Sequence, residues 1–64
     1  ISPQDALNTV VRDAGVSPSL VTDIRTDTTS LDGRLCYLVD FSASGMRYRY
    51  VIDAASAEII ASHP

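Results

Sequence analysis

The chain has 64 residues, of which 45% are hydrophobic and 20% are charged. This length and composition are typical of one small folded domain and exclude a disordered tail. The formal net charge is -3, and all five basic residues are arginines, so the chain lacks the basic surface of a nucleic-acid-binding protein. Its longest apolar run is far shorter than the ~20 residues that a membrane-spanning helix needs.

Cysteine and histidine are each present once. The single cysteine, Cys36, excludes an intramolecular disulfide. A zinc site needs a cluster of such ligands, and the only histidine, His63, lies at the far end of the chain. We therefore expect no metal and no other cofactor, and a fold that depends on its hydrophobic core.

The N-terminal segment predicts an α-helix. Ser2 suits the N-cap, Pro3 suits the first helical position, and the charge of Asp5 favours the N-terminal dipole. Gly15 is expected to end the helix in a left-handed conformation. Apolar residues at helical spacing define its inner face, which consists of Leu7, Val10, Val11 and Ala14.

A period-two pattern of β-branched residues begins at Leu20 and predicts the first strand. The Asp32-Gly33 pair predicts a tight hairpin turn, because both central residues of a type I′ turn need a positive φ. A second strand should therefore start at Arg34. The predicted cross-strand pairs are Ile24 with Phe41 on the helix side and Arg25 with Asp40 on the other side.

A second hairpin is predicted with a four-residue loop over residues 42–45. On the helix side this loop pairs Leu35 with Ile52, Tyr37 with Tyr50, Val39 with Tyr48, and Phe41 with Met46. On the other side it pairs Arg34 with Asp53 and Asp40 with Arg47. Apolar pairs on one side and opposite charges on the other make this register self-consistent.

The C-terminal segment predicts a turn over residues 53–56 and a short last strand over residues 58–61, with Ile59 facing inward and Glu58 outward. His63 and Pro64 are expected to fray. The predicted fold class is α+β, with one N-terminal α-helix packed on a three- to four-stranded antiparallel β-sheet meander.

Three segments resemble the PepSY domain, a module of metallopeptidase propeptides and bacterial cell-envelope proteins. They are the capped helix that ends in Ala14-Gly15, the Tyr-x-Val-x-Phe-like strand over residues 37–41, and the tyrosine-rich strand over residues 45–54 that runs into Asp-Ala. The resemblance covers nearly the whole chain and identifies residues 1–64 as a single PepSY-like domain. One departure is Ala57, which occupies the place of the family's turn glycine. If this position needs a positive φ, alanine destabilises the turn by roughly 1 kcal/mol.

The resemblance implies an extracytoplasmic protein, secreted or membrane-anchored, that binds a peptidase or another envelope protein and regulates or inhibits the peptidase. Because the chain starts directly at a helix-entry signal, we expect a fragment of a longer protein. The alternative is a structural self-association or spacer domain of an envelope protein, in which case the domain forms a homodimer. In neither case do we expect an enzyme or a nucleic-acid partner.

The surface of the predicted sheet that faces away from the helix, which we call the outer face, is the candidate binding site. Apolar side chains surrounded by charged ones often mark a protein interface. The candidate residues are Arg25, Cys36, Leu38, Arg47, Arg49 and Val51, with Val21 and Ile60 at the border. This face instead packs on a neighbouring domain if the chain is a spacer, and a free sheet edge offers a second route for a peptide.

Other polar and aromatic residues have plainer interpretations. Cys36 is expected to be a buried or half-buried structural cysteine, since the predicted register gives it no neighbouring base. Asp53 is expected to bond the backbone of its own turn and not a metal. The three tyrosines, Tyr37, Tyr48 and Tyr50, are expected to pack in the core with their hydroxyls at the rim.

Overall fold

The computed structural model describes residues 1–63. It contains helix α1 (Pro3–Ala14), a single 3-10 turn (Pro18–Leu20), and strands β1 (Thr22–Leu31), β2 (Arg34–Ala43), β3 (Met46–Asp53) and β4 (Ile59–His63). The strands form one antiparallel sheet in the order β1-β2-β3-β4. The α+β class, with one helix packed on an open antiparallel meander, is confirmed.

Helix α1 begins and ends as its sequence predicts. Ser2 and Asp5 form a capping box, in which each side chain accepts a hydrogen bond from the backbone N–H of the other residue. Gly15 closes the helix with a φ of 73°. Val10 and Val11 are buried as expected. Ala6 is buried as well, whereas Leu7 and Ala14 are only partly buried at the edge of the core.

The core lies between α1 and the two central strands. Phe41 is fully buried and stacks on Tyr48, with ring centroids 5.0 Å apart, and on Tyr50 at 6.2 Å. Tyr50 donates a hydrogen bond to Asp13 at the end of the helix, and Tyr37 donates one to the carbonyl of Ile1. The tyrosines therefore pack in the core, and the hydroxyls of Tyr37 and Tyr50 hold the helix to the sheet.

The first hairpin closes at Asp32 and Gly33, which have φ values of 51° and 76°, as a type I′ turn requires. Arg25 pairs with Asp40, as predicted. The pairing of Ile24 with Phe41 is wrong, because a bulge interrupts the β1–β2 register between Thr22 and Arg25. Ile24 is consequently 49% exposed and lies outside the core.

The second hairpin has a two-residue turn, Ser44-Gly45, instead of the predicted four-residue loop. Both residues have positive φ (52° and 79°), which matches the right-handed twist of the flanking strands. Every predicted partner therefore shifts by two positions, so that Tyr37 faces Ile52 in place of Tyr50. Because the shift is even, side chains keep their predicted faces.

The shifted register corrects the predictions at both ends of this hairpin. Leu35 lies beyond the last residue of β3 and is 58% exposed instead of facing Ile52. Met46 faces Ala43 beside the turn and is 46% exposed instead of facing Phe41. The predicted inward positions at these two ends are therefore wrong.

Strand β4 is longer than predicted at its C-terminal end. Ile59 packs against the core and Glu58 is exposed, as expected. His63 does not fray, because it pairs with Arg49 in the β3–β4 ladder. The prediction for Pro64 lies outside the described residues.

The turn between β3 and β4 places Ala57 at a φ of 64°, so the positive φ on which the expected cost of alanine depends is present. We expect Ala57→Gly to raise the free energy of unfolding by about 0.5–1 kcal/mol, since glycine adopts this conformation without a Cβ clash. Urea denaturation measures the change. Ala55→Gly, in the same turn at an ordinary φ, is the matched control and should destabilise the domain. Equal effects of the two substitutions on the free energy of unfolding would contradict the conclusion that Ala57 is strained by its positive φ.

Burial, with the hydrogen bond to Asp13 second, raises the pKa of Tyr50 to about 12. Because the pKa is raised, the neutral Tyr50 hydroxyl stabilises the fold below about pH 10, where an unfolded tyrosine begins to ionise. This stabilisation is lost as the pH rises toward 12. Tyrosinate absorbance should therefore show a late ionisation step that Tyr50→Phe removes. A single early step for all tyrosines in the folded protein would contradict this expectation.

Candidate interaction surface

The centre of the outer face is an apolar row that crosses the sheet. Leu38 of β2 faces Val51 of β3, which in turn faces Ala61 of β4. All three side chains are half-buried. Asp27 of β1 lies on the other side of Leu38 and ends the apolar row with an exposed carboxylate. Side chains directly opposite each other on a sheet are in contact distance, so Leu38, Val51 and Ala61 form a continuous strip.

A charged row runs beside the apolar strip. The register aligns Arg25, Asp40, Arg49 and His63 across all four strands. Arg49 Nε donates to Asp40 Oδ1 at 3.3 Å, and its side chain remains 68% exposed. Arg25 and His63 are exposed too, and within residues 1–63 no carboxylate forms an ion pair with Arg25. Arg25 and Arg49 therefore present exposed guanidinium groups next to an apolar surface.

Arg47 lies at the end of the outer face, beside the second hairpin turn. Its predicted partner, Asp40, is taken by Arg49 because of the register shift. Arg47 Nη1 instead donates to the carbonyl oxygen of Asp23 at 3.1 Å and to Ser42 Oγ at 3.0 Å. Its guanidinium thus holds the β1 bulge, while the residue as a whole stays exposed.

The opposite end of the outer face is a closed ionic cluster. Arg34 Nε donates to Asp53 Oδ2 at 2.7 Å, and Arg34 Nη2 donates to Glu58 Oε1 at 3.0 Å. The predicted Arg34–Asp53 pair is therefore present, although the two residues are diagonal neighbours and not directly opposite. Two carboxylates against one guanidinium leave this end with a net negative charge, and the Glu58 side chain stays largely exposed.

Asp53 also bonds its own turn, as predicted. Asp53 Oδ1 accepts from the backbone N–H groups of Ala55 at 2.7 Å and Ser56 at 2.8 Å. These two bonds, followed by the bond from Arg34, hold the pKa of the carboxyl at about 2 despite its burial. Asp53 is only 5% exposed. It is a structural carboxylate whose acceptor sites are already in use.

Cys36 is on the outer side of the sheet but has no exposed surface. It faces Thr29 on one side and Asp53 on the other, where Val51 was predicted. Its thiol lies 3.7 Å from the carbonyl oxygen of Arg34, in hydrogen-bonding geometry. Its expected burial is confirmed, and its place among the surface residues of the candidate site is wrong.

The border residues divide between two surfaces. Val21 packs against the core on the helix side, so its predicted place on the outer face is wrong. Ile60 is 40% exposed at the β3–β4 register shift. Ala61 and His63 join the outer face without having been predicted. Alternation from Ile59 would place them on the helix side, and the register shift at Ile60 is what turns them outward.

Residues 1–63 hold no cluster of three or more metal-ligating side chains. Across the same residues, no helix is both long enough and apolar enough to cross a membrane. The chemistry of the outer face is thus that of exposed arginines and half-buried aliphatic side chains.

The family model of PepSY, the peptidase propeptide and YPEB domain, matches residues 1–63. The chain belongs to the PepSY family. No curated protein and no solved structure is detectably similar to it. PepSY domains are typically found in extracellular or envelope proteins, and they are generally propeptide or regulatory modules and not catalytic ones.

The PepSY motifs occupy structural positions in this fold. Tyr37, Val39 and Phe41 point into the core, and the alternate residues of the same strand lie on the outer face. Asp53 holds the turn, and Ala54 is buried beside it. The motifs therefore account for the fold, and the outer face is where this PepSY domain has its own chemistry.

Proposed function

We propose that this PepSY domain is a non-catalytic, extracytoplasmic protein-binding module that regulates or inhibits a peptidase. In this proposal it belongs to a longer secreted or membrane-anchored protein and binds the peptidase, or another envelope protein, through the outer face. The observation that carries the proposal is the half-buried strip of Leu38, Val51 and Ala61 beside the exposed guanidinium groups of Arg25 and Arg49.

The combination suits a protein interface better than a fully solvated surface. Aliphatic side chains supply apolar area that a partner can bury, and arginine is enriched at interfaces, including among the residues that dominate binding energy. Leu38 and Val51 are held side by side by the β2–β3 ladder, so neither needs a backbone rearrangement to reach a partner. A preorganised surface loses less conformational entropy on binding.

The exposed charges favour an acidic region on the partner. The chain as a whole has a net charge of -3, yet at this end of the outer face three arginines, Arg25, Arg47 and Arg49, lie against two carboxylates, Asp27 and Asp40. Such local asymmetry steers an acidic surface toward this end and makes association sensitive to salt.

A binding role explains the site better than catalysis. The one thiol, Cys36, is buried and out of reach of a substrate. His63 is exposed and lies beside Arg49 in the ladder, without a nucleophile in the register positions next to it. Catalysis needs a nucleophile or acid–base pair that converges on one point.

The alternative is a structural spacer that self-associates through the same strip. A symmetric dimer would bury the strip of one copy against the strip of the other, since an isologous interface uses the same patch on both subunits. Sedimentation at increasing concentration separates the two functions. A stable dimer formed through the outer face would favour the spacer, and a monomer would favour binding to a different protein.

The direct test is capture of secreted proteins from the source organism by the immobilised domain. The matched variant is Leu38→Lys/Val51→Glu, which replaces the apolar contact by a cross-strand ion pair and keeps the net charge unchanged. We expect the wild-type domain alone to retain a peptidase or envelope protein, and to change the activity of the peptidase when the two are mixed. Equal retention by both proteins would exclude the outer face.

A further inference from the structure

A groove of about 550 Å³ lies between α1 and the start of β1. Leu7 and Val11 line it from the helix, and Val16, Val21 and Ile24 line it from the connecting segment and the strand. The groove is on the helix side of the sheet, so it is a different surface from the outer face. Concave, mainly apolar surfaces of this size commonly bind ligands.

The groove exists because α1 packs over β2 and β3 and leaves the helix side of β1 largely uncovered. Ile24 is 49% exposed at its wall. A large exposed aliphatic side chain beside an apolar groove is a common feature of binding sites on small soluble domains.

The position of Ile24 is maintained by a strained backbone. Asp23 has a φ of 53°, which is uncommon for a residue other than glycine. Its carbonyl oxygen accepts a hydrogen bond from Arg47 Nη1 at 3.1 Å. This bulge takes Ile24 out of register with β2 and leaves it at the groove. Bulges often redirect a side chain next to a functional site.

The free edge of β1 adjoins the groove. β1 is the first strand of the sheet and is 10 residues long, whereas β4 at the other edge has 5 residues. In a two-residue hairpin the residues that flank the turn form a hydrogen-bonded pair, and such pairs then alternate along the ladder. Thr26, Thr28 and Ser30 therefore direct their backbone N–H and C=O groups to the free edge, where an extended chain could accept and donate hydrogen bonds.

We propose that this edge and groove bind an extended peptide segment of a partner protein. The segment pairs with Thr26, Thr28 and Ser30 as an additional strand and places one aliphatic side chain in the groove beside Ile24. β1 and its turn carry three aspartates against Arg25, and the groove adds Arg12; the remaining excess of negative charge favours a basic segment. Main-chain hydrogen bonds give affinity in this mode of recognition, and the apolar pocket gives selectivity.

The test begins with a displayed library of random peptides selected against the wild-type domain. A selected peptide is then synthesised and titrated into the isotope-labelled domain. We expect it to contain aliphatic and basic residues, and to slow amide hydrogen exchange at Thr26, Thr28 and Ser30. Ile24→Asp, at an exposed position, and Thr28→Pro, which removes one outward N–H, should each weaken binding on the order of tenfold or more.

Arg49→Ala on the outer face is the control and should leave peptide affinity unchanged. A peptide that binds as a helix, that protects outer-face residues instead, or that binds the folded Ile24→Asp variant as tightly as wild type would overturn the proposal. So would a library that yields no binding peptide. Leu38→Lys/Val51→Glu tests the proposed function separately, because it alters the outer face and leaves the groove intact.

Discussion

Replacing Asp53 by alanine should lower the melting temperature of the domain by on the order of 10 °C. Its carboxylate is almost fully buried and has hydrogen bonds to Ala55, Ser56 and Arg34. Alanine leaves the two turn N–H groups and the guanidinium without this partner. Breaking a buried network costs more than removing an exposed ion pair.

Asp53→Asn separates the two contributions of this side chain. Its amide oxygen can still accept from Ala55 and Ser56, but it has no charge for Arg34. We therefore expect an intermediate loss of stability at neutral pH. Thermal melts of the three proteins, followed by circular dichroism, measure the series. Equal melting temperatures for alanine, asparagine and wild type would contradict the structural role of Asp53.

The same series has a defined pH dependence. The pKa of Asp53 is lowered to about 2, so its charge stabilises the fold above the unfolded pKa of about 3.9 and ceases to do so as the pH falls toward 2. The difference between wild type and Asp53→Asn should close over this range. Carboxylates that both proteins share affect the pH dependence of both stabilities equally. A stability difference that does not change with pH would therefore contradict the lowered pKa of Asp53.

Replacing the centre of the outer face has the largest expected effect on binding. Leu38→Lys/Val51→Glu should raise the Kd for the partner on the order of 100-fold, because the aliphatic strip contributes the apolar area that the partner buries. Arg49→Ala should raise the Kd less, and its effect should shrink at high salt, since its charge acts partly by long-range attraction.

Leu35→Lys is the matched control for this substitution. Leu35 is the most exposed of the large hydrophobic residues at 58%, and it lies on the helix side beyond the end of β3. Losing an exposed leucine there should not change the Kd if the outer face is the interface. A similar loss of affinity in both variants would indicate a general effect of surface hydrophobicity.

Most of the fold follows from local sequence signals. Ser2, Asp5 and Gly15 determine where α1 begins and ends, and Asp32-Gly33 determines the first hairpin. The alternation of apolar and polar residues assigns the faces of β2 and β3. The PepSY resemblance rests on these same positions, which is why it predicted the architecture.

The exact register of the second hairpin could not be predicted from alternation alone. A four-residue loop and the observed Ser44-Gly45 turn place every side chain on the same face, since they differ by an even shift. The choice between the two loops depends on Ser44 adopting a positive φ. A serine in the sequence does not indicate this conformation. Only the strand ends reveal the difference, at Leu35 and Met46.

The candidate site was predictable in part. The positions of Leu38, Val51, Arg25 and Arg49 on one side of the sheet follow from period two. The burial of Cys36 does not follow from period two, because alternation assigns this outer-face position to solvent. The exposure of Ile24 depends on a bulge at Asp23, and no glycine marks that position.

The affinity of the captured partner for the domain and its outer-face variant tests the central claim most directly. Titration calorimetry with the purified partner should give a Kd on the order of 100-fold weaker for Leu38→Lys/Val51→Glu than for wild type, with Leu35→Lys unchanged. Melting curves establish beforehand that both variants are folded. If the double variant binds as tightly as wild type, the outer face is not the interface.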